Sequence, residues 1–174
     1  MIKIRLILSL LLLLTLSVIS SNHSISAASP KAVVGGTALE EWSHPSGFKF
    51  WLPDNWKTKE EGETLVAEGP GVAVIFIVPK NARSLDRALD EVEEELSGWL
   101  KNIKYDEPTA SNEGGIAEVF ITGTGKDRES GEDMEFDLGI YEKKGKTLMV
   151  FGCTTAENFD KYDKTFIKIL DSIR

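Results

Sequence analysis

The chain has 174 residues with 28 aspartates and glutamates against 20 lysines and arginines, a net charge of −8 at pH 7. This length suits one domain with a sizeable core, and the negative charge disfavours binding to nucleic acid or to anionic lipid headgroups. The one cysteine excludes an internal disulfide, and one cysteine with two histidines cannot furnish a usual structural zinc site.

Residues 1–28 have the pattern of an export signal. Lys3 and Arg5 precede an apolar run over residues 6–19, and the segment ends in the small residues Ser26, Ala27 and Ala28. We expect cleavage after Ala28 and a periplasmic or secreted destination, or the thylakoid lumen if the source is photosynthetic. The alternative is an uncleaved anchor, although a membrane-spanning helix needs about 20 residues.

The mature part of the chain begins with strand signals. Residues 29–38 are small and glycine-containing, which predicts a flexible lead-in, and residues 39–174 are predicted to form a single domain. Residues 48–52 alternate as a strand does, and a turn at 61–63 separates short strands near 56–60 and 64–69. Residues 72–78 are apolar on both faces, as in a strand that is covered on both sides.

Two tryptophans lie at the end of the first of these strands. Pro53 is predicted to end the pairing, because proline has no N–H to donate, and a turn follows it. Trp56 then suits a core anchor more than a ligand platform. For Trp51, on the opposite face from Phe48 and Phe50, the two interpretations are closer to even.

Residues 84–103 predict the clearest helix. Apolar side chains recur there at three- and four-residue steps, Ser84 is a candidate N-cap, and acidic residues precede Lys101 and Lys104 in agreement with the helix dipole. The acidic run at residues 93–95 indicates a solvated face, since consecutive helical positions point in different directions and cannot converge on a metal.

Three long strands and a second helix complete the pattern. Residues 116–122 and 147–153 are largely apolar, whereas residues 134–141 alternate, which predicts one core face and one wetter face. Cys153 is predicted to be a small buried hydrophobic residue rather than a reactive thiol. Thr154 and Glu157 have capping-box spacing before an amphipathic helix. The predicted fold is α+β, an α/β/α sandwich in which two main helices flank a mainly antiparallel sheet of six or more strands.

The sequence offers little catalytic or metal chemistry. His44 is the one histidine after the signal, no G-x-S-x-G elbow presents a serine, and a pair with Cys153 would need that thiol to be exposed. Residues 127–133 carry four carboxylates, but they depart from the EF-hand pattern and suit a solvated hairpin tip better than a calcium loop. Residues 123–126 suit a strand end rather than a phosphate loop. We expect no catalytic, cofactor or metal site.

The motifs together resemble the PsbP-like superfamily, which includes the extrinsic photosystem subunit and DcrB-like exported bacterial proteins. The resemblance covers about residues 42–174 and rests on Gly47-Phe48-Lys49-Phe50, Leu52-Pro53, Trp56, Ser84-Leu85 and Leu170-Asp171-Ser172-Ile173. It implies an α/β/α sandwich that acts by binding or assembly rather than by catalysis.

The main functional hypothesis is therefore an exported, non-catalytic binding or assembly protein of the cell envelope, whose partner is another envelope protein. Trp42, His44 and Trp51 are the candidate partner contacts, although an ordinary contact with the core is an alternative for each. A carrier of a small apolar ligand or lipid would need an aliphatic pocket of a few hundred Å³. A carboxylate-based enzyme would need acidic side chains that converge in a cleft.

Overall fold

The computed structural model describes residues 31–34, 37–79 and 85–174. The strands are β1 Lys31–Val34, β2 Thr37–Ser43, β3 Lys49–Pro53, β4 Lys57–Glu61, β5 Thr64–Gly69, β6 Val72–Ile77, β7 Leu100–Tyr105, β8 Thr109–Glu113, β9 Ile116–Asp127, β10 Asp133–Lys143 and β11 Lys146–Thr155. The helices are α1 Leu85–Trp99 and α2 Phe159–Leu170, the second preceded by a 3₁₀ turn at Ala156–Asn158. The predicted export signal and the predicted Ser84 cap lie outside the described residues.

Two antiparallel sheets form the body of the protein. The larger sheet has eight strands in the order β4-β5-β6-β11-β10-β9-β7, with β8 also paired to β9, and the smaller has the order β1-β2-β3. One buried cluster lies between the large sheet and α1, and a second lies between its other face, α2 and β3. The structure confirms the predicted α+β architecture of helices on both faces of a mainly antiparallel sheet.

The second core cluster is built around aromatic side chains of β3. Phe50 and Leu52 of β3 and Phe48 just before it are buried on one side, and the ring of Phe50 stacks on that of Phe76 with centroids 3.9 Å apart. The alternation predicted for residues 48–52 is thus confirmed. Stacked and buried rings of this kind stabilise a core beyond their area burial, and here they fasten the small sheet to the large one.

The first helix ends earlier than its periodicity predicts. It stops at Trp99, and Leu100 begins β7, so Lys101 and Lys104 are strand residues rather than part of a last helical turn. Arg128 explains the helix end, because its backbone N–H donates to the carbonyl of Trp99 at 3.1 Å. Its side chain donates to the carbonyls of Ser97 and Leu100 at 2.6 and 3.1 Å. These bonds satisfy carbonyls that a helix end leaves without partners.

Strands β1 and β2 begin at Lys31 and Thr37, in the stretch of residues 29–38 that was predicted to be a flexible lead-in. The capping box is wrong, since Thr154 lies in β11 and its hydroxyl donates to the carbonyl of Gly71 at 2.8 Å. Neither the 3₁₀ turn nor α2 has a side-chain cap hydrogen bond.

Residues 127–133 form the predicted hairpin tip between β9 and β10. Asp127 organises it by accepting hydrogen bonds from the backbone N–H groups of Glu129 and Ser130 at 3.0 and 2.6 Å. Within the described part of the chain, no group of three or more histidine, cysteine, aspartate or glutamate side chains is arranged to hold a metal ion. No helix there has the length and apolar content to span a membrane.

Candidate functional site

An aromatic cleft opens where β3, the turn after it and α2 meet. Its volume is about 140 Å³, and its walls are formed by side chains from the small sheet, from the turn between β3 and β4 and from α2. The lining residues are Leu39, Trp51, Pro53, Asn55, Trp56, Tyr162, Thr165, Lys168 and Ile169. We call this site the aromatic cleft.

Two of its rings rest on a glycine-containing turn that joins β5 to β6. A Cβ atom added at Gly69 would lie 2.5 Å from the indole of Trp56, so this ring needs a residue without a side chain beneath it. Tyr162 donates its phenolic hydrogen to the carbonyl of Pro70 and lies over Gly71, where an added Cβ would be 3.3 Å from its hydroxyl. Both rings are therefore fixed in position by the protein itself.

The C-terminal residues fix the third ring. Lys49 and Arg174 exchange two backbone hydrogen bonds of 2.9 Å, and the backbone N–H of Trp51 donates to the hydroxyl of Ser172 at 2.9 Å. The Arg174 guanidinium lies 5.4 Å from the centroid of the Trp51 ring and forms an ion pair with Glu41. A cation over an indole is an attractive arrangement, so the chain end holds Trp51 at the rim of the cleft.

The predicted partner contacts differ in their surroundings. Trp51 is half-buried in the cleft wall, as expected for a side chain on the face opposite Phe50. Trp42 is half-buried against the second core cluster and does not line the cleft. Trp56 combines the two interpretations, since it packs against the core and also lines the cleft.

His44 is buried and has a structural role. Its Nε2 atom lies 3.0 Å from the carbonyl of Glu63, and its Nδ1 atom accepts from the backbone N–H of Ser46 at 3.2 Å. The Nε2 atom therefore carries the hydrogen. Burial lowers the pKa of His44, against the raising effect of the hydrogen bond to Glu63. The neutral ring ties the turn before β3 to the hairpin of β4 and β5.

A buried carboxyl lies under α2, on a face of the sheet predicted to be wetter. Asp137 of β10 is only 2% exposed, and its Oδ2 atom has no hydrogen-bond partner among the described residues. Burial, with smaller contributions from Asp163 and Glu135, raises the pKa of Asp137 to about 7. Asp137 lines neither of the two cavities described here.

The second cavity is a shallow groove near β7 and the end of α1. It is larger, about 670 Å³, but it is open to solvent and is lined by polar, charged and apolar side chains. Its lining residues are Asn102, Ile103, Lys104, Thr124, Gly125, Lys126, Asp133, Met134, Glu135 and Ala156. Neither cavity has the enclosed aliphatic walls and the volume of a few hundred Å³ that the carrier hypothesis predicts.

Cys153 is buried and unpaired, as its apolar surroundings predict. Burial raises the pKa of its thiol to about 12, with a smaller contribution from Asp127. A thiol with so high a pKa is almost entirely protonated at neutral pH and is a poor nucleophile. The burial and the raised pKa of the Cys153 thiol therefore give no support to a Cys153–His44 catalytic pair.

Comparison with solved structures identifies the fold. The chain is similar to cyanobacterial PsbP (CyanoP) from Synechocystis, with a TM-score of 0.60 and 15% identity over 89% of this chain and 97% of that one. The fold is PsbP-like.

Two other solved structures are also similar to the PsbP-like chain. One is a protein of unknown function from Pseudomonas aeruginosa (TM-score 0.47, 14% identity, 74% of this chain and 90% of that one). The other is LpqN, involved in cell envelope biogenesis of Mycobacterium tuberculosis (TM-score 0.49, 11% identity, 78% and 88%). No protein-family model and no curated protein matches the sequence.

Proposed function

We propose that this protein is an exported, non-catalytic binding or assembly protein of the cell envelope that contacts another envelope protein through the aromatic cleft. The observation that carries the proposal is the preformed cleft, in which Trp51, Trp56 and Tyr162 are held in place by contacts within the chain. Rings that are already ordered lose little conformational entropy on binding, which favours association.

The wider features of the chain support the same proposal. Its PsbP-like fold agrees with a sequence resemblance that implies binding or assembly, and residues 1–28 have the pattern of an export signal. The candidate nucleophile and the candidate base, Cys153 and His44, are both buried and engaged in the core. Because one fold hosts many roles, the proposed contact surface is argued from the cleft rather than from the fold.

Quantitative affinity purification from envelope extracts tests the proposal. Three forms of the protein are compared: the wild type, Trp51→Leu, which removes the aromatic ring, and Ile167→Ser, which alters an exposed residue of α2 outside the cleft lining. We expect the wild type and Ile167→Ser to retain the same envelope protein and Trp51→Leu to lose most of it. Thermal unfolding of all three forms controls for the fold. Equal recovery by all three forms, or no protein above background, contradicts the proposal.

A further inference from the structure

The size of the aromatic cleft limits what can enter it. Sites for drug-sized ligands have volumes of about 300–1,000 Å³, whereas this cleft has about 140 Å³. A cavity of about 150 Å³ holds one benzene ring. The cleft therefore accommodates a single ring-sized group, as a pocket for one side chain of a protein partner does.

The lining offers hydrogen-bond donors beside apolar rings. Asn55, Thr165 and Lys168 can all donate hydrogen bonds, and Asn55 and Thr165 can also accept them. A polyproline II segment presents the complementary chemistry, because its backbone carbonyls have no internal partners and its proline rings are apolar. Aromatic-lined grooves bind such segments in other proteins, since the extended form is preorganised.

The charge of the lining specifies the partner further. In a chain with 28 acidic residues, the described residues of the cleft wall include one cation, Lys168, and no carboxylate. Lys168 is exposed at the rim, so a negative group beside the inserted ring would lie next to its ammonium group. Charge complementarity of this kind selects partners and fixes their register.

We propose that the cleft binds a proline ring of an extended partner segment and that Lys168 recognises a carboxylate beside that proline. The inference rests on the proposed binding function and names the chemistry of the partner segment.

Binding of two fluorescent peptides that differ in the sign of one charge tests the inference. Both are oligoprolines, one with a central aspartate and the other with a central lysine, and their affinities for the full chain are measured by fluorescence anisotropy. The wild type should bind the aspartate peptide about three- to fivefold more tightly, as an exposed ion pair predicts. Lys168→Glu should reverse this preference, whereas Ile167→Ser on the same helix should leave it unchanged.

The alternatives give different results. Equal binding of both peptides by the wild type, or no reversal in Lys168→Glu, overturns the role of Lys168. Equal or tighter binding of a peptide with phenylalanine in place of each proline overturns the choice of proline. If neither oligoproline binds while the wild type still retains an envelope protein that Trp51→Leu loses, the proline inference is wrong and the binding function stands.

Discussion

Replacement of Asp137 by asparagine should stabilise the protein above neutral pH. The Asp137 carboxyl is buried under α2 and has a pKa of about 7 in the folded chain, against 3.8 for an unperturbed aspartate. Below pH 3.8 the carboxyl is protonated in both the folded and the unfolded chain, so its burial does not lower the free energy of unfolding through ionisation. Between pH 3.8 and 7 the unfolded chain ionises first, so the free energy of unfolding falls as the pH rises.

The size of the effect follows from the same two pKa values. A difference of about three pH units at about 1.4 kcal/mol per unit gives a penalty of about 4 kcal/mol at pH 8. Asp137→Asn removes this penalty but brings an amide group that needs its own hydrogen bonds. We therefore expect the free energy of unfolding of the variant to exceed that of the wild type by about 2–4 kcal/mol at pH 8 and to match it within about 1 kcal/mol near pH 4.

Urea unfolding followed by circular dichroism at intervals between pH 4 and 8 measures this difference. Asp160→Asn is the control, because it makes the same change at an exposed position in the first turn of α2, where loss of a negative charge should not stabilise the protein at pH 8. Asp163→Asn should give a smaller gain than Asp137→Asn, since the Asp163 charge is a lesser cause of the shift than burial. A variant at position 137 that is less stable than the wild type at pH 8, with an unchanged pH profile, would refute the reasoning.

Two further predictions concern His44 and the glycines. Burial lowers the pKa of His44 below its ordinary 6.5, so the stabilising effect of the neutral ring is present above that pH and is lost as the pH falls. The thermal unfolding temperature of His44→Gln should therefore depend less on pH between 7 and 5 than that of the wild type. Equal pH dependence of the two proteins would contradict this prediction. Gly152→Ala should cost about 1–3 kcal/mol, since the added Cβ would lie 2.9 Å from the ring of Phe166. Gly98→Ala, in open space on α1, should instead stabilise by about 0.5–1 kcal/mol in the same urea titration, and equal effects of the two substitutions would show that the packing argument is wrong.

The strands at the centre of the sheet were predictable because their apolar pattern depends on local sequence alone. The end of α1 was not predictable in this way. Leu100 and Ile103 face the same core cluster as the helix, although they lie in β7. A shift in register between Lys101 and Lys104 brings residues three apart to one face, which imitates a helical period.

Burial of the second face of β10 also depended on information that its own sequence lacks. Asp137 alternates with the core residues as a solvent-facing residue would, yet α2 covers it. Gly139 permits this packing, because an added Cβ would lie 2.6 Å from the ring of Tyr141 on the same face. The helix that covers these residues follows them by some twenty positions, and only the folded topology places it there.

The candidate site was half predictable. Trp51 and Trp56 stood out because they lie close together beside a proline. Tyr162 and Lys168 were not identified, because they are more than one hundred residues away and their helical pattern indicates an ordinary amphipathic helix. Only the tertiary structure brings them next to the two tryptophans.

Site-specific photo-crosslinking in the native envelope tests the central claim most directly. A photoreactive amino acid is placed at position 168 or 55, on the rim of the aromatic cleft, or at position 94, an exposed position of α1 on the other side of the large sheet. The account predicts one protein adduct that is common to positions 168 and 55 and absent at position 94. An adduct formed at position 94 and at neither rim position would place the partner on the opposite surface and contradict the account.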